Sequence, residues 1–389
     1  MEPKASTSRF LGPSTTGMRH AAALALLALV AGETDAQSPT TRTVALPAPT
    51  ATLPAEFTLA ASVRELADGR LLIVDRSERR LVVADWRSAQ VTPLGRSGSG
   101  PGEYLQPTTL FAIGGDSTIL PDTRNGRWLL LHGASIASTT PPDAPAIASG
   151  ARSPLGADDR GNVIITGSPG VGRGALVTTT TPDSILLLRI SRSTGRADTV
   201  ATVRARPARI NVQGPPANPT SITIISNALA VGEAAALCAD GWIAIARLDP
   251  YRVEWITPDG RHILGPPLPF ERVRLDERER RVFLEREAAR TGRATRDPAS
   301  LPEWPEFMPP YLSGALLCGF DGRLWIRRTP TAETANPPYD VVDRRGALLA
   351  RVSRDTDVEV VGFGRGVVYT VVTDADGIQR VQRRPLPGF

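Results

Sequence analysis

The chain is poor in the residue types from which most catalytic and metal sites are built. Its 389 residues include two cysteines and three histidines, and 5% of them are aromatic. The HExxH, CxxC, GxSxG and EF-hand patterns are all absent from the sequence. A serine or cysteine nucleophile needs a neighbouring base, and neither His132 nor His262 falls on a predicted inner strand. We therefore predict no catalytic residue, no metal site and no cofactor.

Clusters of basic residues are also missing. Beyond Lys4 every basic side chain is an arginine, and these arginines alternate with acids along a chain of net charge +5. Nucleic-acid binding surfaces combine basic runs with aromatic residues, and no such run occurs. We expect a solvated surface and no binding of nucleic acid.

Long apolar runs are limited to the N-terminus. Arg19-His20 precede the apolar run Ala21–Val30, and Thr34-Asp35-Ala36 offers small residues for cleavage before Gln37. This order is typical of a signal peptide, and the run is too short to span a bilayer. We predict that residues 1–36 are a signal peptide and that the protein is exported, to the periplasm or outside the cell. No membrane span is expected after cleavage.

Glycine and proline, in contrast, are abundant, at 35 residues each. A short unit recurs along the chain: an apolar run, a tight glycine turn, and a second apolar run. Asp-Gly and Gly-Gly turns between such runs are typical of β-hairpins. The copies are Val63–Asp75, Ile113–Asp122, Asp158–Gly167, Ala239–Arg247, Phe320–Arg328 and Gly364–Val372.

A further pair of apolar runs follows four of these copies, as in VEWIT and RHILG after Arg247. Each unit is then four antiparallel strands, A to D, with a simple period of about 45 residues, as in propeller repeats. The six copies predict an all-β fold, one six-bladed β-propeller over residues 37–389. We expect a monomer.

The last copy lacks a strand, and two blades carry extra sequence. The natural candidate to close the ring is an N-terminal strand at Arg42–Leu46 (RTVAL). Blade three has insertions at Ser168–Pro182 and Arg204–Thr220. Blade four has a charged, Pro-rich insertion at 271–310, in which Asp276–Arg290 reads as one short surface helix.

The motif GRSGSGPGEY (Gly95–Tyr104) resembles the GRxGxGPGE[FY] loop of a family of exported bacterial six-bladed propellers, distantly similar to NHL-repeat and TolB-like propellers. The resemblance implies the fold and export, and it implies no established activity. On the residues alone, the glycines serve a compact turn between the first two blades. Arg96 and Glu103 remain candidate ligand contacts.

Arginines replace acids at one repeated position. Asp75 and Asp122 end strand B in the first two copies, where we expect them to stabilise turns. Arg247 and Arg328 take this position in the fourth and fifth copies, with Arg327 beside Arg328. Ordinary salt bridges to nearby acids are one interpretation.

The alternative interpretation is a shared surface for an anion. The ends of strand B and the D-to-A connections lie on the same face of a propeller, so Arg96, Arg247 and Arg328 are expected on one face. Arginine forks suit carboxylate or phosphate. This hypothesis makes Arg96, Glu103, Arg247, Arg327 and Arg328 the candidate binding residues.

The two cysteines, Cys238 and Cys318, precede Asp-Gly turns at nearly equivalent places in neighbouring copies. A disulfide requires their Cα atoms to approach within about 7 Å. The sequence is consistent with either a disulfide or two buried free thiols, and we favour the free thiols.

The sequence favours a binding or interaction module over an enzyme. The expected partner is a protein or a small anionic ligand, which loops held on the rigid scaffold would bind. The alternative is a lyase or hydrolase acting at the channel mouth, which requires convergent acidic and basic groups in a deep cleft.

Overall fold

A computed structural model of the protein describes residues 41–140, 154–167, 182–214, 220–291, 294–301 and 304–389. The predicted signal peptide and nearly all of the predicted insertion Ser168–Pro182 lie outside these residues. The described residues belong to one compact unit, Thr41–Phe389.

Short strands joined by tight turns make up the first half of the described chain, as the repeat predicts. Leu71–Asp75 is buried along its whole length, which explains why its apolar residues run without alternation. The strands are β1 (Thr43–Ala45), β2 (Ala51–Thr52), β3 (Ala60–Glu65), β4 (Leu71–Asp75), β5 (Arg80–Ala84), β6 (Val91–Pro93), β7 (Arg96–Ser97), β8 (Glu103–Tyr104), β9 (Phe111–Ala112), β10 (Ser117–Asp122), β11 (Arg127–His132), β12 (Ser135–Thr140), β13 (Gly156–Ala157) and β14 (Asn162–Gly167).

The second half contains longer strands and one α-helix. The helix α1 (Glu277–Thr291) begins after Asp276, whose Oδ1 accepts a hydrogen bond from the Glu279 N–H at 2.9 Å as an N-cap. A 3-10 helix spans Pro298–Ser300. The strands are β15 (Ser184–Ser191), β16 (Ala197–Arg204), β17 (Arg209–Gln213), β18 (Ser221–Ile225), β19 (Ala234–Leu237), β20 (Ile243–Leu248), β21 (Tyr251–Ile256), β22 (His262–Pro267), β23 (Tyr311–Cys318), β24 (Leu324–Arg328), β25 (Tyr339–Val342), β26 (Leu348–Ser353), β27 (Val358–Gly364), β28 (Val367–Thr373) and β29 (Gln379–Pro385).

Antiparallel units of four strands recur among the described residues. Sheets of four strands have the orders β3-β4-β5-β6, β12-β11-β10-β9 and β2-β29-β28-β27, and a five-stranded sheet has the order β1-β26-β25-β24-β23. An eight-stranded sheet has the order β16-β15-β14-β13-β19-β20-β21-β22. Its two antiparallel halves are joined by one parallel pair, in which Gly156 lies opposite Leu237.

The first strands of successive units lie beside one another. β9 contacts β13, β19 contacts β23, and β27 of the last sheet contacts β3 of the first. Gly362 in β27 has no room for a Cβ atom, because the carbonyl oxygen of Val63 in β3 occupies that space. Four-stranded antiparallel units with adjacent inner strands are the arrangement of a β-propeller. The described residues therefore form an all-β fold of the propeller type, with one α-helix inserted.

Six hydrophobic cores among the described residues are each shared by two successive units. Val63 and Ile73 of the first sheet pack with Val371 and Val381 of the last. Trp325 of the five-stranded sheet belongs to a core that also includes residues of the last sheet. Because burying one such side chain contributes about 1.5–3 kcal/mol, the sheets are stabilised mainly by their neighbours.

Two N-terminal strands join the chain to its C-terminal sheets. β2 pairs antiparallel with β29 and supplies the fourth strand of the last sheet. The prediction that Arg42–Leu46 takes this place is wrong, since β1 pairs in parallel with β26 of the preceding sheet. RTVAL has the composition of a strand, whereas β2 is two residues long and is recognisable only by the buried Leu53 and Phe57 that follow it.

Two long connections pack together beside the starts of β19 and β23. We call their described residues, within 205–233 and 268–310, the cap. Leu229 of the first connection packs with Leu275 and Met308 of the second. The helix α1 also holds the β24–β25 loop, because both carboxylate oxygens of Glu279 accept hydrogen bonds from the Ala332 N–H at 3.0 and 2.8 Å.

Replacing Phe57 with alanine should lower the free energy of unfolding by about 3–5 kcal/mol, the range for buried Phe-to-Ala changes. Phe57 is 2% exposed in the core that the first and last sheets share. Urea unfolding followed by circular dichroism measures the loss. The matched control is Phe320→Ala, since Phe320 is 57% exposed and its loss should change stability by less than about 0.5 kcal/mol. Equal losses for the two variants contradict the packing described.

Candidate functional site

Buried aspartates close the second strand of the first two units. The Asp75 carboxylate accepts hydrogen bonds from the backbone N–H groups of Thr58 and Leu59 at 3.0 and 3.2 Å. The Asp122 carboxylate accepts one from the Gln106 N–H at 2.8 Å. Both side chains hold the loop that leads into the first strand of their unit. In the turn after its own strand, Asp75 also accepts from the Glu78 N–H at 3.2 Å and Asp122 from Asn125 Nδ2 at 2.6 Å, so the predicted turn-stabilising role is confirmed.

The GRSGSGPGEY loop is held by its own polar groups and by Arg127 of the second unit, which donates hydrogen bonds to three of its carbonyl groups. Glu103 accepts hydrogen bonds from the Gly100 N–H and from Arg96 Nε, both at 2.7 Å. The hydrogen bond from Gly100, followed by that from Arg96, lowers the pKa of the Glu103 carboxyl. Gly98 has no room for a Cβ atom beside the Glu103 carboxylate. These contacts account for the motif as a turn, and a ligand contact by Arg96 or Glu103 stays a prediction.

Arg247 lies between two glutamates. Its Nη1 atom is 2.6 Å from Glu233 Oε2, and its Nε and Nη2 atoms donate to Glu254 Oε2 at 2.8 and 2.7 Å. His262 Nδ1 lies 2.6 Å from the other oxygen of Glu254. Two carboxylates against one guanidinium give this cluster excess negative charge, which His262 offsets only when protonated.

The charges of this cluster reinforce one another. Burial acts to raise the pKa of Glu254, but the hydrogen bonds from His262 and Arg247 outweigh burial and lower that pKa. Burial acts to lower the pKa of Arg247, and the hydrogen bonds to Glu254 and Glu233 raise it overall. All three nitrogens of the Arg247 guanidinium thus donate within the chain, to Glu233, Glu254 and the Thr202 carbonyl.

Arg328, in contrast, shares one carboxylate with a second arginine. Asp340 is 0% exposed, and its carboxylate lies 3.2 Å from Arg351 Nε and 3.9 Å from Arg328 Nε. The Tyr251 hydroxyl donates a hydrogen bond to Asp340 at 3.1 Å. Burial raises the pKa of the Asp340 carboxyl, and the two guanidinium groups oppose that rise. Two guanidinium groups against one carboxylate give this cluster excess positive charge.

The Arg328 guanidinium has donor capacity left over. Among the described residues it makes no hydrogen bond, and its partners are the distant Asp340 carboxylate and the ring of Phe270, whose centroid is 5.7 Å away. Its side chain is 17% exposed. Arg351 is better satisfied, because its Nη2 atom also donates to the Pro269 carbonyl at 2.8 Å. Phe270 and Pro269 belong to the cap, so the cap forms one wall beside Arg328.

The five predicted binding residues do not converge on one cluster. Arg327 and Arg328 are consecutive in β24, so their side chains project to opposite faces of the sheet. Arg327 forms an ion pair with Glu359 of β27, and Arg96 pairs with Glu103. The prediction missed Asp340 and Arg351. The acid inside the apolar run YDVVD could have indicated this cluster, because a buried carboxylate needs a hydrogen-bonding or charged partner.

Cys238 and Cys318 form a disulfide, with their Cα atoms 5.4 Å apart. The preference for two free thiols is wrong. Cys318 ends β23 and Cys238 follows β19 directly, and these inner strands of neighbouring units are in contact. Equivalent positions before the Asp-Gly turns are thereby brought within bonding reach. The link adds a covalent bond between two units that also share a hydrophobic core and several hydrogen bonds.

Two further observations concern the described residues. They contain no group of three or more His, Cys, Asp or Glu side chains suited to hold a metal ion. No helix among them has the length and apolar character needed to cross a membrane.

No family model matches the chain, and no curated protein matches it. The resemblance of GRSGSGPGEY to exported propellers therefore stays a prediction. Solved structures similar to the chain include virginiamycin B lyase from Staphylococcus aureus, with 10% identity, a TM-score of 0.41 and coverage of 86% of this chain and 98% of that one. The calcium-binding protein regucalcin from Agrobacterium tumefaciens has 12% identity, a TM-score of 0.36 and coverage of 89% and 97%.

A member of the DUF4221 family from Bacteroides vulgatus has 7% identity, a TM-score of 0.47 and coverage of 88% of this chain and 96% of that one. With identities this low and TM-scores below 0.5, none of these likenesses assigns a family or an activity to the chain.

Removing the disulfide with the double substitution Cys238→Ala and Cys318→Ala should lower the free energy of unfolding by about 2–4 kcal/mol. The reason is that the unfolded chain regains the freedom of a loop whose ends are 80 residues apart. Urea midpoints are compared with and without dithiothreitol. The reductant should lower the midpoint of the native protein and leave that of the double variant unchanged. A native midpoint that does not respond to complete reduction contradicts the assignment.

Proposed function

We propose that the chain is an exported six-bladed β-propeller that binds a small anion, a carboxylate or a phosphate, at Arg328. The blades are the units β3–β6, β9–β12, β13–β16, β19–β22, β23–β26, and β27–β29 completed by β2. Support for this count comes from six hydrophobic cores among the described residues. Each is shared by two successive units, and one of them joins the last unit to the first. Support for export comes from the signal-peptide pattern of residues 1–36.

The excess positive charge around Asp340 is the observation that carries the proposal. One buried carboxylate cannot neutralise both Arg328 and Arg351, and Arg328 is the less satisfied of the two. An anion beside Arg328 supplies the missing counter-charge and accepts the hydrogen bonds that the guanidinium does not make within the described chain. Hydrogen bonds between charged groups are stronger than neutral ones, and the planar arginine fork matches a carboxylate or phosphate.

The same comparison of charges explains why we place the anion at Arg328 and not at Arg247. Both residues lie near the end of the second strand of their unit, but Glu233 and Glu254 both bind Arg247. A second anion placed there meets two carboxylates at close range, which is unfavourable. We therefore narrow the predicted anion surface to the Arg328 side of the cap.

Titration calorimetry with sodium acetate and sodium sulfate tests this proposal. The Arg328→Gln variant should bind these anions about 10-fold or more weakly, because a hydrogen bond to a charged group contributes about 1.5–3 kcal/mol. The matched control is Arg345→Gln, since Arg345 has a side chain that is 84% exposed and pairs with Asp343 of its own turn. If both variants keep the affinity of the native protein, the Arg328 site does not exist.

A lyase or hydrolase is the second candidate, and the Glu254–His262 pair is the observation that favours it. A carboxylate on Nδ1 orients an imidazole and leaves Nε2 to accept a proton, which is the arrangement of a general base. The His262 side chain is 50% exposed. Once an organic ligand is known, prolonged incubation separates the candidates: a binding module returns it unchanged. Conversion that is lost in His262→Gln supports the enzyme and contradicts a pure binding role.

A further inference from the structure

The Cys238–Cys318 disulfide has a charged group against one of its two sulfurs. Arg344 Nη1 lies 3.9 Å from Cys238 Sγ, the distance of a hydrogen bond to sulfur. Within the described chain, the sulfur of Cys318 has no such donor. The two halves of this bond therefore have different electrostatic surroundings.

Arg344 reaches this sulfur from the turn between β25 and β26, and the neighbouring unit β19–β22 holds it there. Trp255 Nε1 donates a hydrogen bond to the Asp343 carbonyl of that turn at 2.8 Å. The Arg344 guanidinium lies over the rings of Trp255 and Trp242, with centroids 4.2 and 4.9 Å away. Asp240 Oδ2 accepts from Nη2 at 2.7 Å, which leaves Nη1 for the sulfur.

The charges around Arg344 favour a further anion at its Nη1 atom. Burial lowers the pKa of the Arg344 guanidinium, and the charges of Asp240 and Asp321 oppose this lowering only in part. Asp321 is itself paired with Arg323 at 3.0 Å. A thiolate at Cys238 is a counter-charge in direct contact. Because hydrogen bonds between charged groups are stronger than those to neutral acceptors, Arg344 stabilises a Cys238 thiolate more than a disulfide sulfur.

The two cysteines also differ in exposure. Cys238 is 2% exposed, whereas Cys318 is partly exposed and the turn after it carries the exposed side chain of Phe320. Thiol exchange begins when a thiolate attacks one sulfur and the other sulfur leaves, and a more stable leaving thiolate makes it faster. Access and leaving-group stability therefore favour the same direction of attack, on Cys318.

We propose that this disulfide is a thiol-exchange site for low-molecular-weight thiols, in which Cys318 is the sulfur attacked and Arg344 stabilises Cys238 as the leaving thiolate. The attacking thiolate forms a mixed disulfide with Cys318, and the electron pair of the broken bond stays on Cys238. A second thiolate then releases Cys318, so that two thiolates are joined as a disulfide and both cysteines are left reduced. The site is separate from Arg328, because Cys318 lies opposite Leu324 at the start of β24 and Arg328 ends that strand.

Reduced glutathione at neutral pH shows which sulfur is attacked. The native protein is incubated with excess glutathione, the exchange is stopped with acid, and peptic peptides are analysed by mass spectrometry. At early times the Cys318 peptide should carry at least about 10 times as much glutathione as the Cys238 peptide. Equal labelling, more glutathione on Cys238, or a bond that glutathione attacks only after denaturation overturns the proposal.

The role of Arg344 is tested by Arg344→Met, which removes the charge and keeps a long apolar side chain. Glutathione should reduce this variant about 3–10-fold more slowly, because the hydrogen bond to the leaving thiolate is only partly formed in the transition state. The matched control is Arg345→Met in the same turn, where the side chain is 84% exposed, and it should keep the native rate. In denaturing urea all three proteins should be reduced at one rate.

Arg344→Lys separates the charge from the packing of the side chain. It keeps a cation beside Cys238 and should keep most of the native rate. Near-ultraviolet circular dichroism of the oxidised proteins shows whether Trp242 and Trp255 keep their packing. A native rate in folded Arg344→Met, or equal slowing in the lysine variant, means that the charge does not act on the leaving sulfur and contradicts the proposal.

Discussion

The contact between β27 and β3 is the constraint on which the rest of the structure depends. These strands are separated by almost the whole described chain, yet Gly362 lies against the backbone of Val63 and their sheets share a core. Without that contact, two sheet faces and two strand edges would be open to solvent and to other chains. The pairing of β2 with β29 covers the opposite edge of the last sheet. The short N-terminal strands thus contribute more to joining the two ends of the chain than their length suggests.

Closing the sheets onto one another also decides where the charges lie. Each unit buries its apolar faces between neighbours, so polar side chains collect at the ends of the strands and in the connections. There the number of carboxylates around each arginine determines whether that arginine can bind an added anion. Arg247 meets two glutamates, whereas Arg328 shares the single carboxylate of Asp340 with Arg351. Similar arginines at similar places therefore have different chemistry.

Local sequence predicts the strands well where an Asp-Gly turn joins two apolar runs. Ile243–Leu248 and Leu324–Arg328 follow such turns and are strands in the structure. The helix was recognisable from its charged pattern. The strands Arg127–His132 and Ser135–Thr140 were not assigned from sequence, because the turn between them has only a lone glycine, Gly133.

Features that depend on distant parts of the chain were beyond sequence reasoning. β2 is too short to carry a pattern, and its pairing follows from where the ends of the chain meet. The choice between a disulfide and free thiols rests on the approach of two inner strands. The carboxylate partner of Arg328 lies in β25 and the arginine that competes for it lies in β26. The excess positive charge of the cluster is therefore visible only once these strands are side by side.

Disulfide trapping across β2 and β29 tests ring closure most directly. Thr52 lies opposite Gln382 in this antiparallel pair, so cysteines introduced at both positions in the full chain should oxidise to a bond within one molecule. Mass spectrometry of the non-reduced, digested monomer should then find the peptides that contain positions 52 and 382 joined. If these cysteines stay reduced under oxidising conditions, or join only different molecules, the two ends of the chain do not meet as described.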